Sequence, residues 1–167
     1  MPGAAETYIE PMSHETFMRE AIDLSLQGVR ANQGGPFGCV IVRGGQVVGR
    51  GSNLVTSTCD PTAHAEVTAI RDACRRLGTF QLEGCTLYTS CEPCPMCLSA
   101  IYWSRIPEAY YGNTRQDAAA IGFDDDLIYR EIPLPIAERQ VAMKPLLSTE
   151  AHVAFDEWAH KADKVAY

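Results

Sequence analysis

The chain has 167 residues, of which 46% are hydrophobic and 21% are charged, and its formal net charge is −7. This length and balance fit one soluble globular domain and exclude an intrinsically disordered chain, which would be less hydrophobic. The acidic charge disfavours nucleic acid as the main substrate, because phosphate binding requires a basic surface.

The cysteines and the N-terminal segment indicate the compartment. The seven cysteines are an odd number and do not form the framework of a small secreted domain. Residues 1–15 lack a basic segment followed by an apolar run, and no later stretch is long and apolar enough for a membrane span. We therefore expect a cytoplasmic protein that does not associate with a membrane.

We expect a single domain over residues 1–167, with residues 1–12 as a mobile lead-in because Pro and Gly interrupt them.

The first predicted elements are a helix and a β-hairpin. Ser13 is a suitable N-cap, and apolar residues recur at helical spacing over residues 17–29. Two β-prone runs follow at 39–43 and 46–50. The pair Gly44-Gly45 between them can adopt the positive φ angles of a two-residue hairpin turn.

The middle of the chain predicts alternating helices and strands. The segments are a helix over residues 63–77, a strand over 85–90, a helix over 95–103, a strand over 108–112 and a short helix over 117–121. Thr62 is a suitable N-cap for the first of these helices, which ends at Gly78, and it places His64 and Glu66 in the first turn. Pro95 falls in the first turn of the second, where proline is tolerated.

The last third of the chain is less regular. The acidic stretch GFDDDLIY, residues 122–129, is predicted to be a loop because two prolines follow it. Residues 141–147 could form a further strand interrupted by Pro145, and a helix is predicted from Ser148. The order of the elements predicts one α/β domain in which helices cover a sheet in two or three layers.

A zinc site is predicted where the stretches DPTAHAEV and CEPCPMC supply one imidazole and two thiolates. His64, Cys94 and Cys97 are ligands that zinc prefers, and three protein ligands leave a fourth tetrahedral position open for water, as in catalytic zinc sites. Glu66, two residues after the histidine, is placed to move protons of that water. The joint pattern matches the signature of zinc-dependent base deaminases.

Two other interpretations of the cysteines compete with zinc. Cys91, Cys94 and Cys97 have the spacing of an iron–sulfur run, but position 101, where a fourth cysteine would be expected, is Ile101. A thioredoxin-like redox pair would leave the His-x-Glu pattern unexplained. Zinc therefore accounts for more of the pattern, and Cys91 is expected to pack as a small buried side chain.

The chain resembles the cytidine deaminase-like zinc deaminases, and among them the bacterial guanine deaminases, over nearly its whole length. The matching stretches are GGPFG, DPTAHAEVTAI, LYTSCEPCPMC, AIYW, AIGFDDDLIYREI and the terminal tyrosine. The resemblance implies a three-layer α/β/α cytidine deaminase-like fold with a mixed five-stranded sheet. It also implies a homodimer in which the C-terminal segment, about residues 148–167, is swapped onto the partner.

The same resemblance implies roles for individual residues. One Zn²⁺ per chain is held by His64, Cys94 and Cys97, and Glu66 moves protons. The implied substrate-binding residues are Asn53, Phe37, Ala65, Trp103, Asp125 and Tyr167. Among these, Asn53 hydrogen-bonds the base, Phe37 and Trp103 wall the pocket, and Tyr167 comes from the partner chain. Asp125 accepts from the amino group and ring N–H of a purine, with Asp124 and Asp126 as alternatives for that role.

The implied reaction is the hydrolytic deamination of guanine to xanthine and ammonia, with Glu66 moving protons to and from a zinc-activated water. Deaminases of other bases and nucleosides share these catalytic residues, so guanosine, cytosine, cytidine and triazines stay open as substrates. A tRNA adenosine deaminase would need a basic surface. A noncatalytic zinc module would need a fourth protein ligand.

Overall fold

The computed structural model describes residues 13–167, so the expected mobile lead-in over residues 1–12 lies outside the described residues. The described chain forms two compact units, one that ends at Asp124 and one that comprises Asp125–Tyr167. Among the described helices, none combines the length and the apolar character that a membrane span requires.

The first unit is built on a mixed β-sheet with helices on both faces. Its described elements are α1 (His14–Arg30), β1 (Gly38–Arg43), β2 (Gln46–Ser52), α2 (Val55–Thr58), α3 (Ala65–Leu77), β3 (Cys85–Cys91), α4 (Pro95–Trp103), β4 (Glu108–Asn113) and α5 (Arg115–Ala120). The strand order is β2-β1-β3-β4. β1 is antiparallel to β2 and to β3, whereas β3 and β4 are parallel.

The first helix and the hairpin form as their sequences predict. The Ser13 side chain accepts a hydrogen bond from the Thr16 backbone N–H, and α1 begins at the next residue, His14. Gly44 and Gly45 have φ angles of 57° and 78°, and they connect β1 to β2. The hairpin prediction is therefore confirmed.

Two cores on opposite faces of the sheet give the first unit three layers. On one face, α1 packs against β1 and β3 through Phe17, Ala21, Val40, Val42 and Tyr88. The other face packs against α3 and α4 in a core whose buried members are Cys39, Ile41, Ala65, Ala69, Ala73, Leu82, Cys85, Leu87, Ile101 and Ile106. The expected three-layer α/β/α arrangement is therefore confirmed.

Helix α3 lies directly on the backbone of β2 because two strand residues lack side chains. A Cβ atom added at Gly51 would lie 2.2 Å from the Ala65 carbonyl oxygen, and one added at Gly49 would lie 2.6 Å from that of Ala69. Glycine permits such a close approach of two backbones. This contact positions the start of α3, where the predicted metal ligand and general base lie.

The sheet has four strands among the described residues, and not the five that the resemblance implies. Residues 141–147, expected as a possible further strand, form no strand. Pro145 has no backbone N–H to donate to a sheet, which accounts for this difference.

The second unit contains α6 (Asp126–Glu131), a short 3₁₀ helix (Ile136–Glu138) and α7 (Ser148–His160). The prediction of a loop over residues 122–129 is wrong in its second half, because the prolines lie beyond the end of α6 and do not interrupt it. The start of α7 at Ser148 agrees with the prediction. None of residues 125–167, all of which the structure describes, is buried.

Candidate active site

The candidate metal ligand His64 is the N-cap of α3. Its backbone is extended, with φ −68° and ψ 158°. The prediction that Thr62 caps this helix is wrong, because the helix begins at Ala65 and Thr62 lies three residues before it. The Thr62 hydroxyl donates to Asp60 Oδ1 at 2.7 Å. His64 therefore precedes the first turn, whereas Glu66 lies within it as expected.

The two candidate cysteine ligands lie at the N-terminus of α4. Cys94 is the N-cap, Pro95 is the first helical residue and Cys97 follows in the first turn. The spacing of the cysteines predicted this placement. The helix dipole favours the thiolate form at such a position.

The three candidate ligand atoms converge on one point. Each cysteine Sγ lies 3.5 Å from His64 Nδ1, and all three atoms lie within 4.8 Å of one another. A tetrahedral zinc ion with Zn–N and Zn–S bonds of about 2.0 and 2.3 Å requires an N to S separation of about 3.5 Å. The donor set and its spacing therefore fit zinc.

The cluster leaves one of the four tetrahedral coordination positions of zinc without a protein ligand among the described residues. Within residues 13–167 it contains three ligands, one fewer than a closed structural zinc site holds. Cys91 is not among them; its thiol is buried and donates to the Thr114 carbonyl oxygen at 3.6 Å. The geometry therefore gives no support to an iron–sulfur run, which would use Cys91.

The ligands influence each other's protonation. Hydrogen bonds from the Cys97 thiol and the His64 ring lower the pKa of Cys94 to about 4. The hydrogen bond to Cys94, burial and the Glu66 charge raise the pKa of Cys97, and the hydrogen bond to Cys94 raises the pKa of His64. The cluster thus favours one thiolate, and metal binding displaces the remaining protons.

The candidate general base Glu66 is only 5% exposed and contacts two residues through different oxygens. Its Oε1 accepts a hydrogen bond from Thr89 Oγ1 at 3.1 Å, and its Oε2 lies 3.3 Å from Cys97 Sγ. Burial raises the pKa of Glu66. Such a carboxyl group can take a proton and release it again, as general acid–base catalysis requires.

Asn53 is held by the glycine-rich segment before β1. It is buried, and its Oδ1 accepts from the backbone N–H groups of Gly35 and Val55, each at 3.2 Å. Its own backbone N–H donates to the Phe37 carbonyl oxygen at 3.0 Å. Because these bonds engage the side-chain oxygen, the amide nitrogen is the group with which Asn53 can donate to a substrate.

Two aromatic rings meet beside this segment. Phe37 is half-buried and packs against the core below α3, and the Phe123 ring stands edge-on to it with centroids 4.9 Å apart. A Cβ atom on Gly35 would lie 2.9 Å from the Phe123 ring. Phe123 is not among the predicted site residues, although it lies in the stretch AIGFDDDLIYREI, which is one of those that carry the family resemblance.

The other predicted substrate-binding residues differ in burial and in the unit to which they belong. Ala65 is fully buried as the first residue of α3, and Trp103, the last residue of α4, is 64% exposed. Asp125 is the N-cap of α6 and Tyr167 is 72% exposed, and both belong to the second unit. The first unit thus brings together His64, Glu66, Cys94 and Cys97, whereas the roles of Trp103, Asp125 and Tyr167 stay predictions.

Comparison with known proteins gives matches over most of the chain. Residues 11–113 match the model of the cytidine and deoxycytidylate deaminase zinc-binding region. The guanine deaminase of Bacillus subtilis (strain 168) is 52% identical over 156 residues, which cover 93% of this chain and 100% of that protein. An X-ray structure of guanine deaminase from Bacillus subtilis superposes with a TM-score of 0.91 over 93% of this chain and 99% of that chain.

More distant matches cover less of the chain. The tRNA-specific adenosine deaminase of Aquifex aeolicus (strain VF5) is 43% identical over 102 residues, which cover 60% of this chain and 66% of that protein. A structure of guanine deaminase from Nitrosomonas europaea is 32% identical, with a TM-score of 0.64 over 68% of this chain and 65% of that chain. This chain belongs to the cytidine and deoxycytidylate deaminase family, whose shared region binds zinc.

Proposed function

We propose that this chain is a zinc-dependent guanine deaminase that converts guanine and water to xanthine and ammonia. The observation that carries the proposal is the three-ligand cluster of His64, Cys94 and Cys97 with the buried Glu66 carboxylate beside it. The 52% identity to a guanine deaminase over 93% of the chain supports the choice of substrate.

The ligand residues hold the cofactor, and Glu66 moves the protons. His64, Cys94 and Cys97 would hold zinc, which would supply a Lewis acid that lowers the pKa of a water molecule. Glu66 takes one proton from the attacking water and delivers it to the purine ring nitrogen, and it then takes the second proton from the added hydroxyl group and delivers it to the departing amino group. The water oxygen becomes the new carbonyl oxygen of xanthine, and ammonia carries away the amino nitrogen.

The remaining predicted residues bind the purine base. Asn53 donates from its amide nitrogen to an acceptor of the base, because its oxygen already accepts two backbone N–H groups. Phe37 and Trp103 form walls of the pocket, and Ala65 lines it beside the zinc ligand. Asp125 accepts from the exocyclic amino group and the ring N–H, a pattern that guanine offers and cytosine lacks.

We also propose that the protein is a homodimer in which the C-terminal segment of one chain completes the site of its partner through Tyr167. Large apolar side chains of residues 125–167 are exposed, including Leu146 at 83%, Phe155 at 73% and Val165 at 62%. Exposed apolar surface of this extent is typical of a segment that packs against a partner.

Mixing two inactive variants tests the swapped dimer. Glu66→Gln removes the catalytic general base from one chain, and deletion of Tyr167 removes the C-terminal tyrosine from the other. After denaturation and refolding together, the heterodimer would contain one complete site, so about a quarter of the wild-type activity would return. Activity that stays at the level of the separate variants would exclude the exchange of Tyr167 between chains.

We propose a cytoplasmic location as well. The thiols of Cys94 and Cys97 must stay reduced to bind zinc, and a reducing compartment maintains them in that form.

Ammonia release from a panel of compounds tests the proposed substrate. The zinc-loaded protein would be incubated with guanine, guanosine, adenine, cytosine and cytidine under the same conditions. The proposal predicts the highest kcat/KM for guanine. A higher kcat/KM for any other member of the panel would contradict the guanine assignment and leave the deaminase chemistry intact.

A further inference from the structure

Thr89 is a polar residue in an otherwise apolar face of the central sheet. It lies in β3, pairs with Cys39 of β1 and is fully buried. Alternate residues of a strand point to the same face, and the preceding members of this set, Cys85 and Leu87, belong to the core beneath α3. A valine of nearly the same shape would fill this position without adding a polar group.

The hydrogen-bond partner of the Thr89 hydroxyl is the Glu66 carboxylate. Thr89 Oγ1 donates to Glu66 Oε1 at 3.1 Å, and both side chains are buried. A buried hydroxyl without a partner is costly, and a hydrogen bond to a charged group is stronger than one between neutral groups. This bond joins β3, an inner strand of the sheet, to the first turn of α3.

The two oxygens of Glu66 have different surroundings. Oε1 accepts a hydrogen bond from the Thr89 hydroxyl, whereas Oε2 accepts one from the Cys97 thiol at 3.3 Å and therefore faces the metal ligands. An oxygen that accepts a hydrogen bond from Thr89 is held as an acceptor. Thr89 thereby holds Oε1 and leaves Oε2 directed at the metal ligands.

We propose that Thr89 is a positioning residue for catalysis, which fixes the plane of the Glu66 carboxylate and keeps its Oε2 directed at the metal ligands. This inference rests on the proposed function, because it assumes that Glu66 is the base. The positioning role predicts an effect on kcat rather than on substrate binding, since Thr89 contacts the general base Glu66 and has no part in holding the purine.

Thr89→Val and Thr89→Ser test the inference in the zinc-loaded enzyme. Valine keeps the shape and removes the hydroxyl, whereas serine keeps the hydroxyl and removes a methyl group. Thr86→Val is the matched control, because Thr86 lies on the same strand and its hydroxyl donates to the Glu108 carboxylate at 3.4 Å. Measurements of kcat, KM, bound zinc per chain and Tm are made for each, with guanine turnover by the unmodified enzyme establishing the proposed function first.

The inference predicts that Thr89→Val lowers kcat by about 10- to 100-fold with KM changed less than about threefold, which corresponds to one hydrogen bond to a charged group. Bound zinc stays at the unmodified level, and Thr89→Ser and Thr86→Val keep kcat within about threefold of it. If the valine variant does not fold, Thr89→Ala replaces it, again compared with Thr89→Ser.

Three results would overturn the positioning role. They are an unchanged kcat in the valine or alanine variant, an equal loss of kcat in the serine variant, and a loss of bound zinc that accounts for the loss of activity. Absence of guanine turnover in the unmodified protein would instead overturn the proposed function.

Discussion

Glu66 shows how a single side chain acquires a chemical role from its position. It lies in the first turn of α3, two residues after the candidate ligand His64, and its oxygens face Thr89 and Cys97. Burial raises the pKa of Glu66, so protonating its carboxylate costs less free energy than in an exposed glutamate. These properties are those of a proton carrier beside a metal.

Replacing Glu66 with Gln is expected to abolish turnover and to preserve zinc binding. Glutamine retains an acceptor oxygen for Thr89 but cannot take a proton, and general acid–base catalysis contributes about 10²- to 10⁴-fold. Ammonia release and zinc content, measured on the same sample, check this expectation. Turnover at the unmodified rate would remove Glu66 from the mechanism.

Asn53→Asp separates the backbone contacts of Asn53 from its proposed contact with the base. The carboxylate retains acceptors for the Gly35 and Val55 N–H groups but removes the amide donor and repels an acceptor of the base. We expect kcat/KM to fall by about 100-fold or more, because a buried donor is lost where the substrate needs one. Asn113→Asp, the same change at an exposed position of β4, is the control and is expected to leave kcat/KM unaltered. Equal kcat/KM for the two variants would exclude the proposed contact.

The structure brings together the residues that the sequence selects for their specific chemistry, and their catalytic roles stay predictions. Spacing alone selected His64, Glu66, Cys94 and Cys97, because few other roles require one imidazole, two thiols and a carboxylate in that pattern. Thr89 was not predicted, because a threonine within a β-prone run has many structural roles and its partner is 23 residues away in the chain.

At the scale of elements, the contact between α3 and β2 holds the start of α3 in place. Gly49 and Gly51 allow the helix backbone to lie against the strand, and Ala65 is the first helical residue after His64. A displacement of this contact would therefore move both His64 and Glu66.

Gly51→Ala is expected to destabilise the fold and to lower activity. The added Cβ would lie 2.2 Å from the Ala65 carbonyl oxygen, so the helix must shift, and such overpacking costs about 1–3 kcal/mol in the free energy of unfolding. Gly28→Ala in α1 is the control. Its Cβ would meet Ser52 at an ordinary 3.4 Å, and alanine favours a helix by about 1 kcal/mol over glycine. Urea unfolding of both variants measures the difference, and equal stabilities would show that the close contact has no energetic consequence.

Element prediction succeeded where local signals agreed and failed where they competed. The hairpin and α4 follow from Gly44-Gly45 and Pro95, whose backbone preferences are strong. Thr62 has the chemistry of an N-cap, but its hydroxyl donates to Asp60, and α3 begins at Ala65 instead. The prolines that follow residues 122–129 favour a loop there, but they lie beyond the end of α6 and do not interrupt the helix.

At the scale of the whole molecule, zinc is expected to contribute to stability as well as to chemistry. The cluster joins the N-termini of α3 and α4, and an ion that binds only the folded chain adds about 2.7 kcal/mol at 100 times its Kd.

Removal of zinc by a chelator should therefore lower Tm by at least about 5 °C and abolish turnover, and added zinc should restore both. Differential scanning calorimetry with parallel ammonia assays checks this. A chelated protein with unaltered Tm, unaltered turnover and no bound metal would contradict the zinc assignment.

The number of strands and the state of assembly were least accessible from the sequence. Local preferences cannot specify whether a segment such as residues 141–147 finds a partner strand, and Pro145 acts against it. The exposed apolar residues of the second unit follow a helical pattern in α7, which predicts a helix but does not identify what covers it.

Product analysis of the zinc-loaded protein incubated with guanine is the decisive test of the guanine deaminase activity. Xanthine is quantified by its ultraviolet absorbance after chromatography, and ammonia is quantified in the same reaction. We expect equimolar xanthine and ammonia, formed at a rate proportional to the bound zinc and absent with Glu66→Gln. Guanine that remains unconverted in the presence of fully zinc-loaded, folded protein would contradict this expectation.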